Sequence, residues 1–176
     1  MTSSDLIDRY TVATNTWTTL TNKLSSRRRR HCSVAISETE MILAGGYNGT
    51  QLFSVEKYDK DGVVTKLPNM NYRRSASGCI MYNEELYVAG GYNGSILSDV
   101  EAFNLKTNVW RIINKMRNTR YFPGMFVYDN QLTVFGGDGK DPRSIEVYNG
   151  TSWDISNDIL AKDFTFGVLV EAKCAA

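Results

Sequence analysis

The residues best suited to nucleophilic chemistry are His31 and Cys32, since His31 is the single histidine of the 176-residue chain. A histidine can activate a thiol when both side chains reach the same point. The two residues are adjacent at the predicted start of a strand, however, and adjacent strand residues point to opposite faces. We therefore predict no catalytic dyad, and interpret the pair as a loop-edge histidine beside a small buried thiol.

Acidic residues recur at four equivalent positions, and converging carboxylates are common in general acid–base catalysis. Each has an aliphatic residue before it and an aromatic residue two positions after it; they are Asp8, Glu56, Glu101 and Glu146. Because they recur once per repeat, we expect them to lie apart, each pairing with a basic residue or accepting hydrogen bonds within its own or the next repeat. No enzymatic activity, metal site or cofactor is predicted, since metal-ligating side chains are few.

The run Arg27–Arg30 is the densest concentration of charge, and such runs can bind nucleic acid or direct nuclear import. The net charge of the chain is only +1, and the run lacks the interleaved aromatic residues of a strand-binding groove. We predict no nucleic-acid partner, and interpret the run as a local extension of a recurring arginine position.

The hexapeptide AGGYNG occurs twice, at Ala44–Gly49 and Ala89–Gly94. A phosphate-binding interpretation would need a helix N-terminus after the glycines, or a Gly-Lys-Ser/Thr sequence, and neither is present. The glycine pairs instead recur every 45 or 46 residues, at 45–46, 90–91 and 136–137. They indicate a structural repeat rather than a ligand site.

Each repeat predicts four short strands, here named a to d. Strand b ends near Gly46, Gly91 or Gly137, strand c carries the acid and the aromatic residue, and strand d carries a tryptophan in most copies. The turns are rich in Asn, Asp and Gly. A helical repeat is disfavoured, since no unit shows a sustained 3.6-residue period. Four-stranded units covered on both faces are typical of an all-β propeller, and Trp17 and Trp110 are expected to be buried between adjacent units.

This combination of glycine pair, aromatic residue and tryptophan at a period near 45 resembles the kelch-repeat family. The resemblance covers essentially the whole chain and implies a kelch-type β-propeller, usually of six blades, that serves protein–protein recognition. One domain, 1–176, would then comprise strands c and d of a partial blade in 1–24, full blades in 25–70, 71–116 and 117–160, and a terminal strand a in 161–176.

The number of predicted strands fits two interpretations of how the blades form a ring. Strand b of the first blade would fall before Met1, so the units form either the C-terminal part of a larger propeller, which we favour, or a small four-bladed ring that closes imperfectly. Open blade edges would permit self-association.

Cysteine usage bears on the compartment. Cys32, Cys79 and Cys174 are far apart and form no CxxC motif, which predicts neither a disulfide framework nor a zinc site and fits a reducing cytoplasm. No segment is long and apolar enough to cross a bilayer, so no membrane partner is expected.

Loops b–c and d–a share one face of a propeller, and here they are rich in Arg, Tyr and Asn. Arg29, Arg74 and Arg120 each stand 17 residues before the second glycine of a pair, so we expect an arginine column around the axis. Guanidinium groups bind carboxylates, and tyrosines add rigid contact area. An acidic peptide or protein partner is predicted, bound by Arg28, Arg29, Arg73, Arg74, Arg120, Tyr47, Tyr92, Tyr121, Asn48, Asn93 and Asp138.

The family resemblance implies two candidate roles. One is a substrate adaptor of cullin-RING ubiquitin ligases, in which BTB and BACK domains precede the propeller. The other is an actin-binding or cytoskeletal scaffold. Kelch-bearing oxidases are a third kind of relative, but their metal-ligating Tyr and His pairs are not found in this sequence.

Overall fold

The computed structural model describes residues 4–160, and in this range every regular element except one turn of 3-10 helix at Val12–Thr14 is a β-strand. The predicted all-β class is therefore confirmed. The predicted terminal strand in 161–176 lies outside the described residues.

Three four-stranded antiparallel sheets, blades 1 to 3, account for most of the strands. Blade 1 consists of β3 (Cys32–Ala35), β4 (Glu40–Ala44), β5 (Val55–Asp59) and β6 (Val64–Leu67). Blade 2 consists of β7 (Gly78–Tyr82), β8 (Glu85–Ala89), β9 (Val100–Asn104) and β10 (Val109–Ile113). Blade 3 consists of β12 (Gly124–Tyr128), β13 (Gln131–Phe135), β15 (Ser144–Tyr148) and β16 (Trp153–Ile159). Within each blade the strands pair in sequence order, so they correspond to the predicted strands a, b, c and d.

Two smaller pairs complete the strand list. An N-terminal hairpin joins β1 (Asp8–Thr11) to β2 (Thr16–Thr19), and the two-residue strands β11 (Arg120–Tyr121) and β14 (Asp138–Gly139) pair beside blade 3. The hairpin supplies strands c and d of the partial blade, as the repeat predicts.

Tight turns between strands a and b fix the register of blades 2 and 3. Asn83 and Glu84 in blade 2, and Asp129 and Asn130 in blade 3, all have positive φ angles between 47° and 62°. Two successive positive φ values are the type I′ geometry, whose twist suits a two-residue hairpin. In blade 1 the same connection is four residues long, from 36 to 39.

The blades stack face to face through their apolar residues, and strand a of each blade contacts strand a of the next. One core cluster lies between blades 1 and 2 and includes Ile42, Val55 and Phe103. A second lies between blades 2 and 3 and includes Val100 and Trp153. Blade 2 is therefore covered on both faces.

The burial prediction for the tryptophans is only partly correct. Trp17 is 72% exposed, so the prediction is wrong for this residue. Trp110 is half-buried, and its Nε1 donates to the Pro68 carbonyl of the preceding blade at 2.8 Å. Trp153 is 1% exposed and donates in the same way to Asn114 at 2.9 Å. Burial requires a preceding blade, and within the described residues none covers the outer face of the hairpin.

The prediction that the cysteines form no disulfide is wrong for one pair. Cys32 and Cys79 are joined by a disulfide, and their Cα atoms are 5.9 Å apart. They are 47 residues apart in the chain, but stacking of the blades brings the first residues of β3 and β7 together. Cys174 lies outside the described residues.

Candidate functional site

The candidate site is the loop face, formed by the b–c and d–a loops. Backbone pairing between these loops builds it: Arg29 pairs with Tyr47, Ser75 with Tyr92, and Tyr121 with Asp138. In each repeat the residue just after the glycine pair thereby meets the loop that leads into strand a.

One arginine per blade is buried beneath this face. Arg28, Arg74 and Arg120 are 3%, 0% and 0% exposed. Each donates to a strand c glutamate of the blade that its loop enters: Arg28 to Glu56 at 2.5 Å, Arg74 to Glu101 at 2.9 Å, and Arg120 to Glu146 at 3.0 Å. Each also donates to the carbonyl of the first glycine of the pair, at Gly45, Gly90 and Gly136. The predicted structural role of Glu56, Glu101 and Glu146 is thus confirmed.

These arginines connect one blade to the next. The backbone of Arg74 belongs to blade 1, since its N–H donates to Leu52 and its carbonyl accepts from Gly46, both at 2.9 Å. Its side chain, in contrast, donates hydrogen bonds to Gly90 and Glu101 of blade 2. Arg120 repeats the arrangement one blade later, with its carbonyl accepting from Gly91 at 2.8 Å.

The glycine pair is required by this close approach. A Cβ on Gly90, which has a φ of +65°, would lie 2.6 Å from the carbonyl oxygen of Arg120. The corresponding distance from Gly45 to the carbonyl oxygen of Arg74 is 2.5 Å. A side chain at either position would push the neighbouring blade away.

Burial and ion pairing act in opposite directions on the pKa of each buried guanidinium. Desolvation lowers the pKa of the Arg74 guanidinium, while the charge and hydrogen bond of Glu101 oppose that shift. The same causes act on Arg28 through Glu56 and on Arg120 through Glu146. A guanidinium stays protonated in proteins, so each is a buried ion pair that leaves no free charge for a partner.

The expectation that Arg28, Arg74 and Arg120 line an open surface is therefore wrong. The spacing from the glycines also predicts the wrong residue in the first blade, where Arg28 rather than Arg29 is equivalent to Arg74. Counting back from the glycines misses this because the turn between β3 and β4 is longer than the turn between β7 and β8. Arg29 is instead equivalent to Ser75 and Tyr121, the residues that pair with the b–c loops.

What the loop face does expose is a group of arginines from blades 1 and 2 beside aromatic rings. Arg30 is exposed, and its Nη1 donates to the Tyr121 hydroxyl at 2.8 Å. This hydrogen bond joins the loop that enters blade 1 to the loop that enters blade 3. The Tyr121 ring lies 6.1 Å from that of Tyr92 and 4.6 Å from that of Phe122.

Two more guanidinium groups rest on rings of the b–c loops. The Cζ atom of Arg29 lies 5.0 Å from the centre of the Tyr47 ring, and that of Arg73 lies 4.2 Å from the centre of the Phe53 ring. Such contacts attract the cation to the face of the ring and so help to orient it. Within residues 4–160, neither Arg30 nor Arg73 forms an ion pair with a carboxylate. We name Arg29, Arg30, Arg73, Tyr47, Tyr92, Tyr121 and Phe122 the arginine–aromatic surface.

The remaining predicted site residues lie at its margin. Asn48 and Asn93 are exposed at the tips of the b–c loops, and the Asn48 side chain donates to the Ser26 hydroxyl at 2.9 Å. Asp138 is exposed and occupies the position that Tyr47 and Tyr92 hold in the other blades. The exposed arginines of the arginine–aromatic surface therefore belong to the loops of blades 1 and 2.

Sequence reasoning missed Arg30 and Phe122 as members of this surface. Arg30, Ala76 and Phe122 occupy equivalent positions in successive repeats, and all three have positive φ angles of 53° to 57°. The amide of Ala76 donates to Arg30, and that of Phe122 donates to Ala76, at 2.7 and 2.8 Å. Only the correct alignment of the arginines would have placed these residues in one column.

His31 lies below the surface rather than on it. Burial lowers its pKa, and the charge of Arg28 lowers it further. The buried Nδ1 atom has no hydrogen-bond partner among residues 4–160. Over the same residues, no three His, Cys, Asp or Glu side chains are close enough together to hold a metal ion, and no helix has the length and apolarity needed to span a membrane.

Comparisons with known proteins give the fold and the family. The solved structure described as "Structure of YjhT" superposes with a TM-score of 0.70 at 14% sequence identity, over 87% of this chain and 52% of that one. The chain therefore spans about half the length of that propeller, and the likeness confirms the predicted propeller architecture. No curated protein matches the sequence.

The family model described as the KLHDC2/KLHL20/DRC7 Kelch-repeats domain matches residues 2–137, which is most of the chain. It covers the hairpin, blades 1 and 2 and the first two strands of blade 3, and so includes all three glycine pairs and the three buried arginines described above. Kelch domains are in general interaction modules rather than enzymes. On the repeat, the blade architecture and this match, the chain belongs to the kelch-repeat family.

Proposed function

We propose that the chain recognises an acidic segment of a partner protein on the arginine–aromatic surface. The observation that supports this most directly is the pair of exposed guanidinium groups, Arg30 and Arg73, that lack a carboxylate within the described residues. Each is oriented by an aromatic neighbour, so a carboxylate would meet donors that are already positioned.

Charge complementarity selects the chemistry of the partner. Carboxylates of an extended segment would pair with Arg30 and Arg73, while Tyr92 and Tyr121 would pack against its backbone. Tyrosine and arginine are the side chains most often found at interface hot spots. Asp138, on the blade 3 side, would repel further acidic residues, so the acidic part of the segment is expected to lie across blades 1 and 2.

The cellular role we propose is a cytoplasmic substrate adaptor of a cullin-RING ubiquitin ligase. The support is membership of a family of interaction modules together with a surface suited to a short acidic motif. A BTB domain encoded upstream in the full-length gene would favour this role, whereas co-sedimentation with filamentous actin would favour the scaffold role.

The proposal is tested with a fluorescently labelled hexaglutamate peptide, with hexaglutamine as the uncharged control. Fluorescence anisotropy should detect binding of hexaglutamate only, and the affinity should fall with added salt, since exposed charges are screened over about 8 Å at physiological ionic strength. The double variant Arg30→Ala/Arg73→Ala should bind about tenfold more weakly, because two exposed ion pairs contribute up to about 1 kcal/mol each.

Lys106→Ala is the matched control. Lys106 is exposed in the turn between β9 and β10, away from the loop face, and its substitution removes one positive charge without touching the arginine–aromatic surface. Equal affinity of the wild type and the double variant for hexaglutamate, with folding verified by circular dichroism, would contradict the proposal.

A further inference from the structure

The disulfide between Cys32 and Cys79 occupies a junction that recurs in the molecule. Cys32 pairs with Ala44 at the start of β3, as Gly78 pairs with Ala89 at the start of β7. Cys79 pairs with Val88, as Met125 pairs with Val134 one blade later. At both junctions, the first residue of strand a in one blade thus meets the second residue of strand a in the next blade.

The same junction is closed without a covalent bond between blades 2 and 3. A Cβ added to Gly78 would lie 2.9 Å from the Cγ atom of Met125, so the methionine fills the space that a side chain would need. A methionine packed against a glycine therefore fills this junction without a covalent bond. The cysteine pair offers something that packing does not, which is a link that can be made and broken.

The disulfide lies directly beneath the arginine–aromatic surface. Cys32 follows Arg30 by two residues, and Cys79 follows Ala76 by three. The amide of Ala76 donates to the carbonyl of Arg30 at 2.7 Å, and Arg30 in turn donates to Tyr121. The disulfide therefore ties together the two strands whose preceding loops carry this hydrogen bond.

We propose that Cys32 and Cys79 are a reversible oxidation site that controls partner binding on the loop face. In the disulfide state, the spacing of Arg30 and Ala76 is fixed and the arginine–aromatic surface is ordered for binding. In the dithiol state, blades 1 and 2 separate more readily at the rim, and the surface loses affinity for an acidic segment. The binding part of this inference rests on the proposed function.

Oxidation can proceed by exchange with glutathione disulfide. Cys79 is half-buried whereas Cys32 is buried, so the Cys79 thiolate is the first to attack. It forms a mixed disulfide and releases one glutathione thiolate. The Cys32 thiolate then attacks the Cys79 sulfur and releases the second glutathione. Two protein thiols are oxidised to one disulfide, one glutathione disulfide is reduced to two glutathiones, and excess glutathione reverses the sequence.

The test uses the full chain carrying Cys174→Ser, which leaves only the two cysteines of the pair. The protein is equilibrated with glutathione disulfide or with dithiothreitol, and its state is read from the mass added by a maleimide. Amide hydrogen exchange of Ala76 and Phe122 and anisotropy with labelled hexaglutamate are then measured in both states.

The matched control is the double variant Cys32→Gly/Cys79→Met, which gives the junction between blades 1 and 2 the residues found between blades 2 and 3. We expect reduction of the parent protein to speed exchange of the Ala76 amide by about tenfold, as local opening becomes easier, and to weaken hexaglutamate binding. The control variant should bind hexaglutamate and be insensitive to dithiothreitol in both measurements.

The outcomes separate the two proposals. If Ala76 exchange is the same in both states, or if the thiols resist oxidation by glutathione disulfide, the redox inference is wrong whatever the peptide does. If exchange responds to reduction while hexaglutamate binds with the same affinity in both states, control of binding is wrong. If exchange responds and hexaglutamate binds in neither state, the oxidation site stands and the proposed acidic partner is wrong.

Discussion

At the scale of single residues, the molecule uses arginine for two opposite purposes within four positions of the chain. Arg28 is buried in an ion pair with Glu56, while Arg30 is exposed at the rim. Residue type alone does not separate these roles. The separation comes from backbone direction in the d–a loop, which points one side chain into the blade and a near neighbour to solvent.

Breaking a buried pair should be costly. Glu101→Gln removes the charge opposite Arg74, which would remain buried and uncompensated, and it should lower the free energy of unfolding by about 3–5 kcal/mol. Glu84→Gln removes the partner of Lys106 in an exposed pair and should cost less than about 1 kcal/mol. Urea denaturation of both variants checks this, and similar losses would show that the interior pair is weakly coupled to the fold.

His31 gives a prediction for pH. Its pKa in the folded state is lowered, chiefly by burial and then by Arg28. The unfolded chain therefore binds more protons than the folded protein below the ordinary histidine pKa of about 6.5, so stability falls as the pH drops through that value. His31→Asn should lose less stability than the wild type between pH 7.5 and 5.5 in urea titrations. A parallel fall in both proteins would exclude His31 as its origin.

At the scale of the elements, the strand d tryptophans differ in what covers them. Trp153 packs on Tyr148 with ring centres 5.1 Å apart and also bonds to blade 2, whereas Trp17 contacts Tyr10 in its own hairpin at the same separation but stays exposed. Tryptophans at equivalent sequence positions are thus expected to contribute unequally to the free energy of unfolding.

Alanine substitution should expose that difference. Trp153→Ala empties a buried aromatic site and should cost about 3–5 kcal/mol, while Trp17→Ala should cost less than about 1 kcal/mol. Thermal or urea unfolding of the two variants provides the comparison. A large loss for Trp17→Ala would mean that the outer face of the hairpin is covered in solution.

The sequence was sufficient for the four-strand unit, because glycine pairs, turn residues and aromatic positions are local signals that repeat. The positions of Gly46, Gly91 and Gly137, two residues after the ends of strands b, follow from it. The one-residue offset of Arg29 could not be seen, since it depends on the length of a turn located after the residue in question. The disulfide could not be seen either, because it depends on which strands become neighbours only after the blades stack.

At the scale of the whole molecule, blade 2 is the best protected part of the described chain. Its two central strands, β8 and β9, are buried over most of their length, while the hairpin strands β1 and β2 are largely exposed. Cooperative opening should therefore begin at the hairpin.

Amide hydrogen exchange followed by mass spectrometry should show this order directly. Peptides covering β1 and β2 should exchange first, and peptides covering β8 and β9 should exchange last, at rates approaching that of global unfolding. Uniform exchange across all three blades would instead indicate that the repeats open as one cooperative unit.

The arginines that join adjacent blades give the molecule a direction during synthesis. Gly46 of blade 1 can donate its hydrogen bond to the carbonyl of Arg74 as soon as Arg74 has left the ribosome, but the guanidinium of Arg74 must wait for Glu101, which is translated 27 residues later. Domains generally fold from the N-terminus as the chain emerges. The hydrogen bonds of each blade are therefore completed by the first residues of the blade that follows it. The growing end then carries one arginine whose glutamate has not yet been made, so a ribosome that stalls between these codons leaves a nascent chain with an unpaired cation at its newest edge.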